Sequence, residues 1–333
     1  LILPASPGGS APTSELLALA DQIEQATGLG AGIVGGTGSN DWVISGAKST
    51  TGKPLLADDP HLSFRTPSIW YMAEIQGGAL HAIGATIPGL PGIVIGHNER
   101  VAWGVTNVGP DVQDLYREKL DPTGTKVEYQ GQLEDLTIIN DTLQVKDQPD
   151  VPLTVRISRH GPLISDALNA NNADDATLPQ REALAFRWTA LDASDTTIEA
   201  FIDVNFAQNW DEFKAALSTY IAPSQNFVYA DIDGNIGYIA PGSIPIRAGT
   251  TPGSEGLVPV EGWTGANEWS GFIPFDQLPQ SYNPPQGFIA TANNKVVGSD
   301  YPYFISHEWA APFRAERITA MLTAKEKLSM DDM

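Results

Sequence analysis

The chain has 333 residues, 40 acidic and 19 basic side chains and a formal charge of −21, which excludes nucleic-acid binding by bulk electrostatics and disfavours an anionic membrane surface. At 42% hydrophobic and 8% aromatic it can build a core, as one large domain or two ordinary ones, and wholesale disorder is excluded. With no cysteine there is no disulfide framework, no thiol catalysis and no thiolate metal site.

Residues 1–13, rich in Pro and Gly, read as a lead-in. Residues 14–25 carry Leu16, Leu17, Leu19, Ala20 and Ile23 at helical spacing behind a Ser cap, and predict a short amphipathic helix. Gly28, Gly30, Gly32, Gly35, Gly36 and Gly38 then make a linker that packs as neither helix nor strand. From Asn40 onward, short β-rich runs follow at 42–46, 69–76, 79–86, 92–96 and 101–107, apolar on both faces as in strands covered on both sides. Residues 126–145 and 152–158 read as more polar, peripheral strands. Helices are expected over 196–206 and 210–220, and a hairpin joins 226–230 to 235–240 about Asp231, Ile232, Asp233 and Gly234. A last helix begins near Ala311, with Phe313, Ile318, Met321 and Leu322 on one side. There is no internal repeat, no heptad pattern and no apolar run of the ~18 residues a membrane helix needs. Position 1 is Leu, and Ser329 with Asp332 reads as the N-cap of a helix that does not continue; the chain is expected to be a piece of a longer product.

The sharpest local feature is Gly38-Ser39-Asn40-Asp41-Trp42, where the glycine linker meets the first strand. Ser39 has two readings. It simply opens a strand, or cleavage between Gly38 and Ser39 exposes it as an N-terminal nucleophile whose own α-amine is the base. An α-amine has a pKa of about 8 and is substantially neutral at mild pH, so no separate histidine is required. A Gly at 38 lets the Ser39 hydroxyl approach the preceding carbonyl for a self-cleaving acyl shift.

Residues 39–46 (SNDWVISG), 52–61 (GKPLLADDPH), 91–98 (PGIVIGHN) with 101–104 (VAWG), and 225–231 (QNFVYAD) with 234–238 (GNIGY) together resemble the penicillin amidase family of N-terminal nucleophile hydrolases. That family includes penicillin, cephalosporin and acyl-homoserine-lactone acylases. The resemblance implies an α+β fold, the αββα four-layer sandwich. It makes residues 1–38 the α-chain tail and spacer, and 39–333 the N-terminal part of the β-chain, with most of the α-chain and the rest of the β-chain missing. It aligns Ser39 with the nucleophile. His61, 22 residues on, falls at the position that contacts the nucleophile, where penicillin G acylases carry Gln and cephalosporin and homoserine-lactone acylases carry His.

The oxyanion of acyl transfer needs donors already in place; the resemblance supplies a backbone N–H from Asn107 or Val108 and the side-chain amide of Asn226, with Arg247 supporting the site. Asp111 and Asp114 fall where penicillin G acylases place carboxylates that help bind calcium, a structural Ca2+ being the cofactor implied. The remaining histidines, His81, His97, His160 and His307, show no metal-site spacing, and His97 reads as a turn residue before Asn98. The expected activity is hydrolysis of small-molecule N-acyl substrates such as β-lactams or acyl-homoserine lactones, in a periplasmic or secreted setting. The alternative is an unprocessed, catalytically silent module.

Overall fold

The computed structural model describes residues 38–62, 66–170, 182–249 and 255–333. The predicted helix at 14–25 and the glycine linker up to residue 37 lie outside the described residues.

Alternation within single strands explains the architecture. Strand β1 (Asn40–Ile44) pairs antiparallel with β2 (Leu55–Asp59) on one side and with the Phe288–Thr291 strand on the other. Trp42 and Ile44 of β1 point outward and pack with Leu55, Phe288, Ile318 and Leu322, so the Phe313–Thr323 helix covers this outer face. Val43 points the opposite way and is fully buried against Val228, Ala230, Ile236, Tyr238 and Ile289. Those partners belong to the second sheet and to the strand beside β1. The second sheet has seven antiparallel strands: β3 (Tyr71–Gly77), β4 (Leu80–Thr86), β5 (Ile95–Asn98), β6 (Val101–Asn107), then the Gln225–Asp231, Ile236–Ile239 and Gln280–Tyr282 strands.

The far face of this larger sheet presents Val101, Trp103 and Val105 of β6 with Phe227 and Tyr229. These are covered by two helices, Thr197–Val204 and Trp210–Leu217, through Phe201, Val204, Phe213 and Leu217. The order is therefore helix pair, seven-stranded sheet, three-stranded sheet, helix: the αββα sandwich. Runs apolar on both faces are what a sheet covered on both sides requires, and a fully buried Val or Ile such as Val43 contributes roughly 1.5–3 kcal/mol.

Outside the sandwich, β7 (Gln113–Glu118) pairs with Ala183–Trp188 and, in parallel, with Val260–Glu261. The 126–145 region breaks into Lys126–Tyr129, Gln132–Asp135 and Thr137–Leu143, with Gln130 and Gly131 at positive φ making the first turn. The last helix departs from expectation in its orientation. Ile318 and Leu322 face the sheet while Phe313 is 75% and Met321 48% exposed. At 3.6 residues per turn, Phe313 lies about 140° round the helix from Ile318. At the C-terminal end Ser329 and Asp332 do form a reciprocal capping box, around a single 3-10 turn.

Candidate active site

The facing surfaces of the two sheets become polar toward one end. Ser39, just before β1, and Asp41 within it share the inward face with Val43; on β6, Gly104 and Thr106 meet them; Thr291 and Asn226 complete the layer. Ser39 sits at the mouth of this layer, 8% exposed. Its backbone N–H donates to Asn293 Oδ1 at 2.9 Å. Its carbonyl accepts from Arg314 Nη1 at 2.6 Å, and the same guanidinium donates to Asn40 Oδ1 at 2.8 Å and Asn293 Oδ1 at 3.0 Å. Burial holds Arg314 below the ordinary guanidinium range. Two side chains thus fix both backbone groups of Ser39. Asn293 follows the Phe288–Thr291 strand in a left-handed turn conformation (φ 61°), which Asn tolerates better than most residues.

His61 follows β2. Its Nδ1 lies 3.0 Å from the Asp59 carbonyl and 3.2 Å from Asp59 Oδ2, so the Nδ1 hydrogen is directed there and Nε2 carries the lone pair in the neutral ring. The His61 carbonyl accepts from Gly38 N–H at 3.0 Å. A Cβ at position 38 would lie 2.9 Å from His61 Nε2 and 3.1 Å from Arg314 Nη2, so glycine is what lets the chain pass between them.

Asn107 is the junction of the site. Its carbonyl accepts from Asn293 Nδ2 at 3.0 Å and from Asn226 Nδ2 at 3.2 Å. Val108 N–H donates to the Ser224 carbonyl at 3.3 Å, a long bond that another acceptor could replace. Asn293 thus links the Ser39 N–H to the Asn107 carbonyl, and the Gly38 N–H ties the chain before Ser39 to His61. Asn226 and Arg247 make no hydrogen bond to Ser39 among the described residues, and each is bonded to other partners. Asn226 is fully buried, with its Nδ2 donating to Thr106 Oγ1 at 3.0 Å and to the Asn107 carbonyl at 3.2 Å, and Oδ1 accepting from Tyr238. Asn293, by contrast, has only one of its two Nδ2 hydrogens committed among the described residues. The side chains bonded to the Ser39 backbone are Asn293 and Arg314, which sequence reasoning missed. The available signals were the Asn pair closing the apolar run at 287–292 and a lone Arg at the start of a helix whose apolar face alone was read.

Arg247 belongs to a separate cluster. Its Nε donates to Asp114 Oδ2 at 2.7 Å, its Nη2 to Asp111 Oδ1 at 2.9 Å, and Trp269 Nε1 also donates to Asp114. Burial, partly offset by the guanidinium, raises Asp111 to about 6. As arranged, the two carboxylates are ligands to a buried cation the chain already carries, and the set does not fit Ca2+, which takes 6–8 oxygens. Among the described residues no group of three or more His, Cys, Asp or Glu is placed to hold a metal. Removing one partner of such a buried pair strands the others. Arg247→Ala is expected to lower stability by about 3–5 kcal/mol while the kcat of the folded fraction is kept, as denaturant titration beside active-site-normalised kinetics would show. The other histidines are paired elsewhere: His81 with Glu74 and Glu99, His160 with Glu118 and Glu268, His97, within β5, with the Asn98 carbonyl, and His307 with the Glu255 carbonyl.

Directly below Ser39, Asp41 and Asp58 are register partners across β1 and β2. None of their four carboxyl oxygens has a well-aligned hydrogen-bond donor among the described residues, and Asp41 is fully buried. Its Oδ2 would lie 2.5 Å from a Cβ on Gly104, so β6 can pass over the carboxyl only as glycine. Burial, reinforced by Asp58, holds Asp41 well above the usual carboxylate range. Burial raises Asp58 to about 7, with the nearby Val105 N–H offsetting part of it.

Residues 4–333 match the family model for penicillin amidase. The chain belongs to the penicillin amidase family. It is 37% identical over 293 residues to an acyl-homoserine lactone acylase QuiP of Pseudomonas fluorescens, covering 87% of this chain and 34% of that one. It is 31% identical over 314 residues to a penicillin acylase 2 proenzyme of Pseudomonas sp. (strain SE83), covering 94% and 39%. The solved thermostable penicillin G acylase from Alcaligenes faecalis superposes with a TM-score of 0.74 at 27% identity, over 88% of this chain and 50% of that one, so the sandwich is an N-terminal nucleophile hydrolase fold. The chain spans roughly a third of the length of the curated relatives it matches.

Proposed function

We propose that the full-length protein hydrolyses the amide bond of small N-acyl compounds, with Ser39, freed by cleavage of the Gly38–Ser39 bond, as the nucleophile. The observation that carries this is the clasp on Ser39: its N on Asn293, its carbonyl on Arg314, and His61 and Arg314 closing on the Gly38 backbone. In maturation, Ser39 Oγ attacks the Gly38 carbonyl. The C–N bond breaks as an ester forms on Oγ, and water hydrolyses that ester to leave a free α-amine. In turnover, Oγ attacks the substrate's acyl carbon and its proton passes, through a water, to that amine and on to the leaving nitrogen; a second water releases the acid. The adjacent Arg314 cation favours the neutral amine, the form that accepts a proton.

The uncommitted Asn293 Nδ2 hydrogen and the weakly engaged Val108 N–H are the donors best placed for the oxyanion. Arg314→Ala is expected to lower kcat/KM by roughly 10²–10³-fold. Arg314→Lys is expected to recover little, because an ammonium cannot span Ser39, Asn40 and Asn293 as a planar fork does. Kinetics on variants checked for unchanged circular dichroism would test both.

His61 and the match to an acyl-homoserine lactone acylase favour aliphatic acyl groups over phenylacetyl, with the remainder of the precursor completing the acyl pocket. The test is amine release from a panel of phenylacetyl, short-chain and long-chain N-acyl homoserine lactones and penicillins. Release from aliphatic substrates with the lactone or lactam ring intact supports the reading. Ring opening without amine release overturns it.

A further inference from the structure

Asp41 and Asp58 take part in no step of the proposed chemistry, yet Asp41 lies two residues from Ser39 on the same strand face. Directly opposed residues of an antiparallel pair have Cβ atoms about 4.5–5.5 Å apart, so their register brings the two carboxyls together. Asp41 is fully buried, and so are the carboxyl oxygens of Asp58. On its other side Asp41 is opposite Thr291, whose hydroxyl is 2.9 Å from Thr106 Oγ1. Across the layer Gly104 closes over Asp41 Oδ2 with no room for a Cβ. The inward-facing residues that β6 and the two neighbouring strands bring to this layer, Gly104, Thr106, Asn226, Val228, Ile289 and Thr291, carry no charge. The charged groups at this end, Asp59, His61 and Arg314, bond to Asn40, to each other or to the Ser39 carbonyl, and none donates to either carboxyl of the pair. Cleavage before Ser39 would add one more titratable group on this strand, the Ser39 α-amine.

Two carboxylates cannot both stay ionised in a dry layer without a donor, so the pair keeps a proton. A carboxyl that donates to a neighbouring carboxylate makes a short, charge-assisted bond, and one hydrogen then serves both groups. We infer that Asp41 and Asp58 share a proton, and that this acid–acid bond positions the nucleophile by tying the Ser39 end of β1 to β2. This rests on the assignment of Ser39 as nucleophile. Neither carboxyl touches the reacting atoms. Burial raises Asp58 to about 7 and holds Asp41 well above the usual carboxylate range, so loss of the last proton from the pair is an alkaline event. Two bare charges then repel across the β1–β2 register and Ser39 shifts; misplacing a group by about 1 Å can cost about 100-fold in rate. The profile of kcat is therefore a bell. Its acid limb belongs to the α-amine, which must be neutral to accept a proton, and its alkaline limb to the carboxyl pair acting as one unit.

The experiment measures kcat of the full-length protein across pH, with active sites counted by titration and circular dichroism recorded at each pH. Between about pH 7 and about pH 9.5 the parent's kcat is expected to fall about 10–100-fold, reversibly and with its circular dichroism unchanged. In Asp58→Asn an amide donates to Asp41 whatever the pH, so over the same interval kcat should change less than about three-fold. Asp41→Asn places the amide on the other strand and should behave alike, which keeps the test open if one variant fails to fold. Infrared difference spectra give a readout independent of turnover. A buried protonated carboxyl is expected at about pH 6 in the parent and in Ser39→Ala, and should be absent from Asp41→Asn/Asp58→Asn. An alkaline fall of the parent's size in the Asn variants, a fall that appears only where circular dichroism is lost, or the absence of that carboxyl band from the parent overturns the proposal. If Ser39→Ala is inactive while the Asn variants keep the alkaline fall, only the positioning role fails, whereas an active Ser39→Ala removes the reading beneath it.

Discussion

Ser39→Ala in the full-length protein is expected to abolish amide hydrolysis, by on the order of 10⁴-fold or more, and to leave the Gly38–Ser39 bond uncut. In the function proposed above the same oxygen serves both reactions, so maturation and turnover should disappear together. The fold should survive. The hydrogen bonds at position 39 run from its backbone N–H to Asn293 and from Arg314 to its backbone carbonyl, and an alanine keeps both. Its stability should stay within about 1 kcal/mol of the parent, as is usual where no cavity or stranded polar group is created. A rate of amine release above one-tenth of the parent would show that another group attacks the substrate.

The buried carboxyl pair predicts the second large effect, a pH-dependent loss of stability. In the unfolded chain an Asp releases its proton near ~3.9, whereas Asp58 in the fold holds its proton to about 7 because burial penalises the charge. Between those values the folded state binds more protons than the unfolded one, so unfolding is favoured increasingly as pH rises. At about 1.4 kcal/mol per unit, stability should fall on the order of 4 kcal/mol from pH 4 to pH 7 through this carboxyl, and Asp41 acts in the same direction. Asp58→Asn removes the titration while keeping the shape. Its melting temperature should exceed the parent's at pH 8, with the difference shrinking toward pH 4. Parallel melting curves across that range would show that the pair is solvated or neutralised by a partner.

Many of the strands could be read in the sequence because they are apolar on both faces and separated by glycine-rich turns, β6 over Val101–Asn107 most clearly, whereas their arrangement as a sandwich came from the family resemblance. The Phe288–Thr291 strand was not read, being four residues between a Pro-Gly turn and an Asn pair. With it went Asn293, 254 residues from Ser39, whose place depends on that strand lying beside β1. Helical periodicity reports which face is apolar; it carries no information on which exposed end reaches another segment, and Arg314 was lost that way. Asn226 was marked through the resemblance carried by its motif at 225–231. Only its register with Thr106, whose hydroxyl reaches Thr291 in the facing sheet, shows that it points between the sheets. Asp111, Asp114 and Arg247 were each marked from the sequence but assigned to two different roles, because nothing in their spacing brings residues more than 130 positions apart into one ion cluster.

The most direct measurement is N-terminal sequencing with intact mass on the mature full-length protein, followed by mass spectrometry of the N-terminal peptide after brief reaction with a slowly hydrolysed N-acyl substrate. The expected result is a chain beginning Ser39-Asn40-Asp41-Trp42, with the acyl mass on Ser39 and absent from Ser39→Ala. A hydrolytically active protein whose chain runs uncut through Gly38 and Ser39, or an acyl group found on another residue, would contradict the assignment of Ser39.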